Sequence, residues 1–299
     1  MATFYDHAKT QFALNWHDKV QQKMSRLKER VTVDEHQGDR KRYPIVADEE
    51  WAARTRLQSS SPSEATVTFR NLTTTAYKKY LYFDEDDDTF LLGEMESPTS
   101  SLLRVIGNGY NRLCDSTIYT ALGANRATGA DGTGSSGFPA GQSIDVNYVR
   151  SGSAVNSGLT LDKLIKTRSL LGENEVTDPD EPTELVFVCR QAQLDDLLDD
   201  PKVQDFDYNS VRALVNGQVN TWMGFRFVRY QPATVSTVDV ATCYAYHKDY
   251  VVFNPGKRKV RVDILPTTQH ARQVGGYARM GAMVLEDEAV VRVYADQSP

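Results

Sequence analysis

Residues 184–230, ELVFVCRQAQLDDLLDDPKVQDFDYNSVRALVNGQVNTWMGFRFVRY, open on the continuous apolar run Leu185, Val186, Phe187 and Val188. Successive side chains of a strand point to opposite faces, so a run without alternation needs cover on both sides. Leu194, Leu197 and Leu198 then recur at helical spacing, and Pro201 stands where that helix stops. Asn209 or Ser210 caps a second helix carrying Val211, Leu214 and Val215, with Gly217 at its C-terminal cap. The residues leading to Tyr230 read as a returning strand. Strand, two short acidic-faced helices and strand make a mixed unit built for packing, with no residues arranged for catalysis.

Working outward, Phe12, Trp16, Val20, Met24, Leu27 and Val31 are spaced by three or four, which predicts one amphipathic helix. Such a helix, placed before any other core element, must find its apolar contact on a neighbouring domain or subunit. Residues 32–63 are polar and interrupted by Pro44 and Pro62, with little potential to form a core. Residues 65–71 (ATVTFRN) and 76–84 (AYKKYLYFD) alternate like two strands around Thr73, Thr74 and Thr75. They predict a long two-stranded ribbon, which is marginal alone and needs something to lie on.

Ser97 followed by Pro98 is a helix start, and the pattern runs to about Ala124 with Leu102, Leu103, Ile106, Tyr110, Leu113, Ile118 and Leu122 on the apolar side. A helix of that length spans roughly 40 Å. Gly107 and Gly109 weaken it and mark a bend or close packing. A glycine-rich, flexible loop is expected over residues 129–141, then a helix from a Thr160 cap to Leu171, stopped at Gly172. Residues 238–253 and 259–265 read as strands with a turn at Asn254, Pro255 and Gly256, and residues 288–295 as a closing strand. The fold class is α+β.

The chain has 299 residues, enough for a sizeable core, and a net charge of −6 that argues against a dedicated duplex-binding protein. The basic clusters RLKER (26–30), RKR (40–42) and KRKVR (257–261) read as solvated faces or contacts with a partner subunit. Cys114, Cys189 and Cys243 lack any CxxC spacing and read as reduced, buried thiols. The start lacks the pattern of a signal peptide, and no stretch approaches the roughly 20 apolar residues of a membrane span. A soluble, intracellularly made protein is the expectation.

Candidate chemistry does not survive inspection. The acidic run DEDDD (84–88) lacks the glycine and distal glutamate of a calcium loop and reads as a solvated turn, with a divalent-metal enzyme as the competing reading. GTGSSG (132–137) matches a dinucleotide fingerprint in letters, but follows a helix and runs into Phe138 and Pro139. The five histidines show no paired ligand spacing, and no nucleophile elbow is present. No catalytic residue, cofactor or metal site is expected.

Four strings carry a resemblance: TQFALNWHDKVQQKMSRLKERV (10–31), YLYFDEDDDTF (80–90), RLCDSTIYTALGANRATG (112–129) and the segment 184–228. In their order and spacing they resemble the major capsid proteins of tailed bacteriophages, which have the Hong Kong 97-type coat fold. The resemblance implies an N-terminal arm (1–35) and an extended β-hairpin loop lying over a neighbour (36–95). It implies a peripheral domain (96–182) with its spine helix at 97–124 and companion helix at 160–172, an axial domain with a mixed sheet (183–256), and strands returning to the peripheral domain (257–299).

It implies a non-enzymatic shell subunit, assembled as pentamers and hexamers around double-stranded DNA without sequence-specific binding, in a virion put together in the host cytoplasm. Portal, scaffold and cement proteins are the other partners implied, with no membrane. The alternative is an encapsulin-type compartment around a protein cargo. Candidate inter-subunit contacts are Phe12, Trp16 and Val20 on the arm, Arg40, Lys41, Arg42, Lys78 and Lys79 on the ribbon, and Asn216 and Trp222 on the axial loop. Some relatives join subunits by a lysine–asparagine bond. Lys78 and Lys79 lie in the corresponding region, but no catalytic carboxylate can be assigned, so no such bond is expected.

Overall fold

The computed structural model describes residues 21–46, 65–83, 99–177, 184–200, 221–233, 239–267 and 271–297. In chain order the elements are β1 (Thr32–Val33), β2 (Arg40–Val46), β3 (Val67–Thr73), β4 (Thr75–Phe83) and α1 (Thr99–Gly123). Next come β5 (Arg126–Thr128), β6 (Gly134–Ser136), β7 (Ser143–Ile144), α2 (Leu161–Glu173), β8 (Leu185–Cys189) and α3 (Gln191–Asp199). The rest are β9 (Thr221–Trp222), β10 (Phe225–Arg229), β11 (Val240–His247), β12 (Val251–Asn254), β13 (Arg258–Leu265), β14 (Ala271–Val284) and β15 (Val290–Asp296).

The apolar run behaves as its pattern demands. β8 is buried at every position and lies inside a six-stranded sheet of order β7-β15-β11-β8-β10-β9. It is parallel to β10 and antiparallel to β11. Leu185, Phe187 and Cys189 share a core with Leu164 and Leu171 of α2 and Leu194 and Leu197 of α3. Val186 and Val188 pack on the other side with Ile118 and Leu122 of α1 and with Leu27 and Val31. The Phe187 ring sits 5.9 Å from Phe225 and 5.2 Å from Phe227. Each such side chain contributes about 1.5–3 kcal/mol by leaving water.

The first helix of this segment ends at Asp199, near the expected place, and Pro201 and the second expected helix, with Asn216, lie outside the described residues. The start of α2 has a different origin from the one expected. Thr160 stands at the N-cap but its side chain makes no capping bond. Two carboxylates hold the entry instead: Asp196 of α3 accepts from the Leu159 amide, just ahead of the cap, at 3.1 Å, and Asp200, just after α3, from the Leu161 amide at 2.9 Å. The acidic face of α3 is thus partly consumed inside the subunit.

The single helix expected over residues 12–31 is not formed in its described part. Residues 21–27 are irregular, and a single 3-10 turn, Lys28–Arg30, leads into β1. Asp115 of α1, fully buried, explains why. Its carboxylate accepts from Gln22 Nε2, Ser25 Oγ and the Arg26 and Leu27 amides, the last at 3.0 Å. Amides bonded to a carboxylate are unavailable to a helix, so tertiary bonding overrides the periodicity. Phe12, Trp16 and Val20 lie outside the described residues.

The expected ribbon strands exist, but not as partners of one another. β3 pairs antiparallel with β2, Arg40 opposite Thr73 and Val46 opposite Val67. The antiparallel pair is therefore β2–β3, and its first strand is drawn from the segment read as merely polar. Pro44 is tolerated because β2 lies at the edge of its sheet, β2-β3-β5-β6. β4 instead pairs with β14, which pairs on its other side with β13.

Residues 238–253 do not form one strand: β11 and β12 are separated by the 3-10 turn Lys248–Tyr250 and enter different sheets. Asn254, Pro255 and Gly256 do not reverse the chain. β12 and β13 both run antiparallel to β14, and between Asn254↔Gly281 and Arg258↔Ala278 the register slips by one residue, which is a β-bulge. Gly256, at φ +54°, permits it, since an added Cβ would lie 1.7 Å from the Arg279 carbonyl oxygen. The glycine-rich loop after α1 is partly ordered as the hairpin β5–β6. The closing strand, β15, lies in the six-stranded sheet between β11 and β7.

Candidate inter-subunit surfaces

The β2–β3 hairpin carries Arg40, Lys41 and Arg42, and each has a partner at hand within the chain. The Arg40 guanidinium donates to the Asp131 carbonyl in the β5–β6 turn. Lys41 pairs with Asp34, which also accepts from Tyr43 Oη at 2.6 Å. The Lys41 and Tyr43 hydrogen bonds hold the Asp34 carboxyl below its ordinary range. The Arg42 guanidinium sits over the Phe69 ring, 5.3 Å from its centroid. These contacts stiffen the base of the hairpin. Arg70 of β3 and Arg126 of β5 both reach Asp287, at 2.9 and 2.8 Å, and fasten the hairpin to the turn before β15.

Lys78 and Lys79 are on β4, not on the hairpin, and both are exposed. Register places them on opposite faces of the β4–β14–β13 sheet. Lys78, Tyr80 and Tyr82 share the outer face with Tyr277 of β14 and with Lys259 and Arg261 of β13. Tyr80 and Tyr277 are hydrogen bonded through their hydroxyls at 2.8 Å and meet edge to face. Tyr82 is 67% exposed. On the inner face α1 crosses β14 so closely that a Cβ on Gly276 would lie 2.7 Å from Ile106 Cγ2. Beside that crossing, α1 and the sheet enclose a groove of about 590 Å³.

Trp222 closes the two-residue turn of β9–β10, where Met223 and Gly224 both have positive φ, as this hairpin type requires. Its ring is half-buried against the Phe187 core, so it serves packing within the subunit as well as any contact outside it. Asn216 and the DEDDD run lie outside the described residues.

The titratable groups inside the molecule act as struts. Glu184 receives Arg30 and Arg226 at 3.0 Å and Lys248 at 3.2 Å. Burial acts to raise its carboxyl, but Lys248, Arg226 and Arg30 overcome it and hold the group low. Lys163 of α2 is fully buried, and its Nζ donates to the carbonyls of Val146, Ser157 and Gly158 at 2.6–2.8 Å. The three cysteines are free and buried, as read from their setting; burial pushes Cys114 up to about 11 and Cys243 up to about 12. Among the described residues no group of His, Cys, Asp and Glu could hold a metal ion, and no helix is long and apolar enough to cross a membrane.

The family model described as phage capsid protein matches residues 5–296, and the chain belongs to that family. No match was found among curated protein sequences. Solved structures with the same mixed α+β fold include the capsid of cyanophage Pam1, at 11% identity and TM-score 0.72, covering 99% of each chain. The capsid of cyanophage P-SCSP1u is 13% identical, with TM-score 0.69, over 100% of this chain and 96% of that one. The acid-stable capsid of Helicobacter pylori bacteriophage KHP30 is 10% identical, with TM-score 0.66, over 100% and 99%. The protein is a capsid shell subunit, part of the virion, and not an enzyme. The encapsulin-type alternative is not favoured.

Proposed function

We propose that this subunit has the Hong Kong 97-type coat fold and that its copies assemble, as pentamers and hexamers, into an icosahedral head around the double-stranded DNA of a tailed phage. The observation that carries the reading is the coexistence of family membership along nearly the whole chain with a sheet, β4–β14–β13, whose strand β13 is exposed at seven of its eight positions. A sheet face left open in this way is stabilised when a neighbour covers it. In this reading residues 1–35 form the arm, the β2–β3 hairpin is the extended loop, and α1 is the spine helix. The six-stranded sheet, with β15 counted in it, supplies the axial domain. Arm residues Phe12, Trp16 and Val20, hairpin residues Arg40–Arg42, sheet residues Lys78 and Lys79, and loop residues Asn216 and Trp222 contact neighbours. A net charge of −6 suits a lining that does not hold packaged DNA tightly. Portal, scaffold and cement proteins are the partners this implies, with assembly in the host cytoplasm.

Negative-stain microscopy of the full expressed chain tests the reading. Closed shells or capsomer rings are the expected result. A chain that stays monomeric under all assembly conditions overturns it.

A further inference from the structure

The groove between the first half of α1 and the β4–β14–β13 sheet carries a chemistry that the subunit does not use internally. Its floor is apolar: Leu81, Leu103, Ile106, Leu113, Val260 and Ala278. Leu103, expected on the buried side of its helix, is 39% exposed there. The apolar surface continues beyond the groove along β13, where Val262 and Ile264 are 47% and 58% exposed on the same face as Val260. Around this floor stand three cations, Lys79, Arg112 and Arg258, and among the described residues no carboxylate lines the groove. Arg258 is steered by Tyr110, its guanidinium 5.2 Å from the ring centroid. An apolar trough with a cationic rim selects a segment that is both acidic and apolar.

We propose that this groove binds a second copy of the same chain through its stretch at residues 84–92. That stretch reads DEDDDTFLL: five consecutive carboxylates followed closely by Phe90, Leu91 and Leu92. It matches the groove in sign and in its apolar end. The inference rests on the shell reading, because only an assembly holds a second copy in place. It assigns a use to the acidic run that the absence of a metal-binding pattern left without one.

The test places a photoreactive benzophenone residue at Val260 in the full chain and assembles a mixture of ¹⁴N- and ¹⁵N-labelled copies. After irradiation, the crosslinked peptides are identified by mass spectrometry. The expected product joins position 260 to the peptide holding residues 84–92, with mixed labels at the statistical proportion. The double variant Lys79→Glu, Arg258→Glu should lower that product roughly tenfold with an unchanged circular dichroism spectrum. Products of a single label only mean that the chain's own segment fills the groove, and they overturn the proposal. So does a crosslink to any other peptide within particles that do form. Failure to form particles at all counts against the shell reading itself, which microscopy of the same sample separates from failure of the groove contact.

Discussion

The six-stranded sheet and the β4–β14–β13 sheet meet opposite surroundings. β8 is buried along its whole length, with two helices on one side and α1 on the other. β13 is exposed at seven of its eight positions, and α1 covers only part of one face of its sheet. One sheet is covered within the subunit; the other keeps an open face. A shell subunit needs both, since a core that depended on neighbours would not fold before assembly, and a fully covered surface could not assemble. The comparison breaks most sharply at Phe187. Phe187→Ala removes a ring wedged between Phe225 and Phe227 and should cost the isolated subunit about 3–5 kcal/mol in urea unfolding. A loss below about 1 kcal/mol would mean that this sheet is not the self-sufficient half.

Next in size is Lys163, which ties α2 to the loop between β7 and that helix. Burial pushes its ammonium down from 10.5 to about 8, against the pull of Cys243, Asp196 and Asp296. With the folded value below the unfolded one, the unfolded chain holds a proton that the folded chain has released between pH 8 and 10.5. Stability from this group therefore rises with pH across that window, by roughly 3 kcal/mol at most. Lys163→Met leaves three carbonyls without their donor and should be less stable at neutral pH by about 2 kcal/mol. The gap between the two proteins should widen from about pH 7.5 to about pH 10. A gap that stays flat would show that Lys163 does not titrate in that range.

Asp115→Ala probes the seam between the two halves. The change removes the acceptor for Gln22, Ser25 and two backbone amides, some of which can rehydrate, so the expected cost is about 1–2 kcal/mol. Trypsin should then cut faster after Lys23 and Arg26, residues whose backbone α1 grips through Asp115 and Asn111. Unchanged cleavage would show that other contacts hold this segment.

What could be read without coordinates follows the same division. The unbroken run Leu185–Val188 announced a strand covered on both faces, because apolar side chains at successive positions leave no solvent side. The long helix was legible from its period, and the thiols from their apolar setting. Pairing was not legible. Residues 67–83 contain two real strands, yet the sequence does not say that β3 turns to β2 while β4 turns to β14, since register is set by distant partners. The polar strand β2 escaped notice because RKRYPIV has a proline and three cations, which an edge strand tolerates and a central one does not. Asp115 defeated the helix expected through residue 31, and nothing in the local pattern marks a carboxylate that arrives from 89 positions away. The groove cations were scattered over three segments, and only the packing of α1 on the sheet gathers them.

The smallest effect on the subunit is expected at Tyr82, and it sharpens the comparison from the other side. The side chain is 67% exposed on the outer face of β4, next to the hydrogen-bonded Tyr80 and Tyr277. Tyr82→Ala should therefore change the stability of the isolated subunit by no more than about 0.5 kcal/mol. If that face is finished by a neighbour, the same change removes an aromatic anchor from an interface and raises the protein concentration at which shells appear, by roughly fivefold or more. Light scattering across a dilution series reads that threshold, and urea unfolding of the unassembled protein reads the first quantity. A stability loss with no change in threshold would place Tyr82 in the subunit's own packing and move the boundary between the two halves.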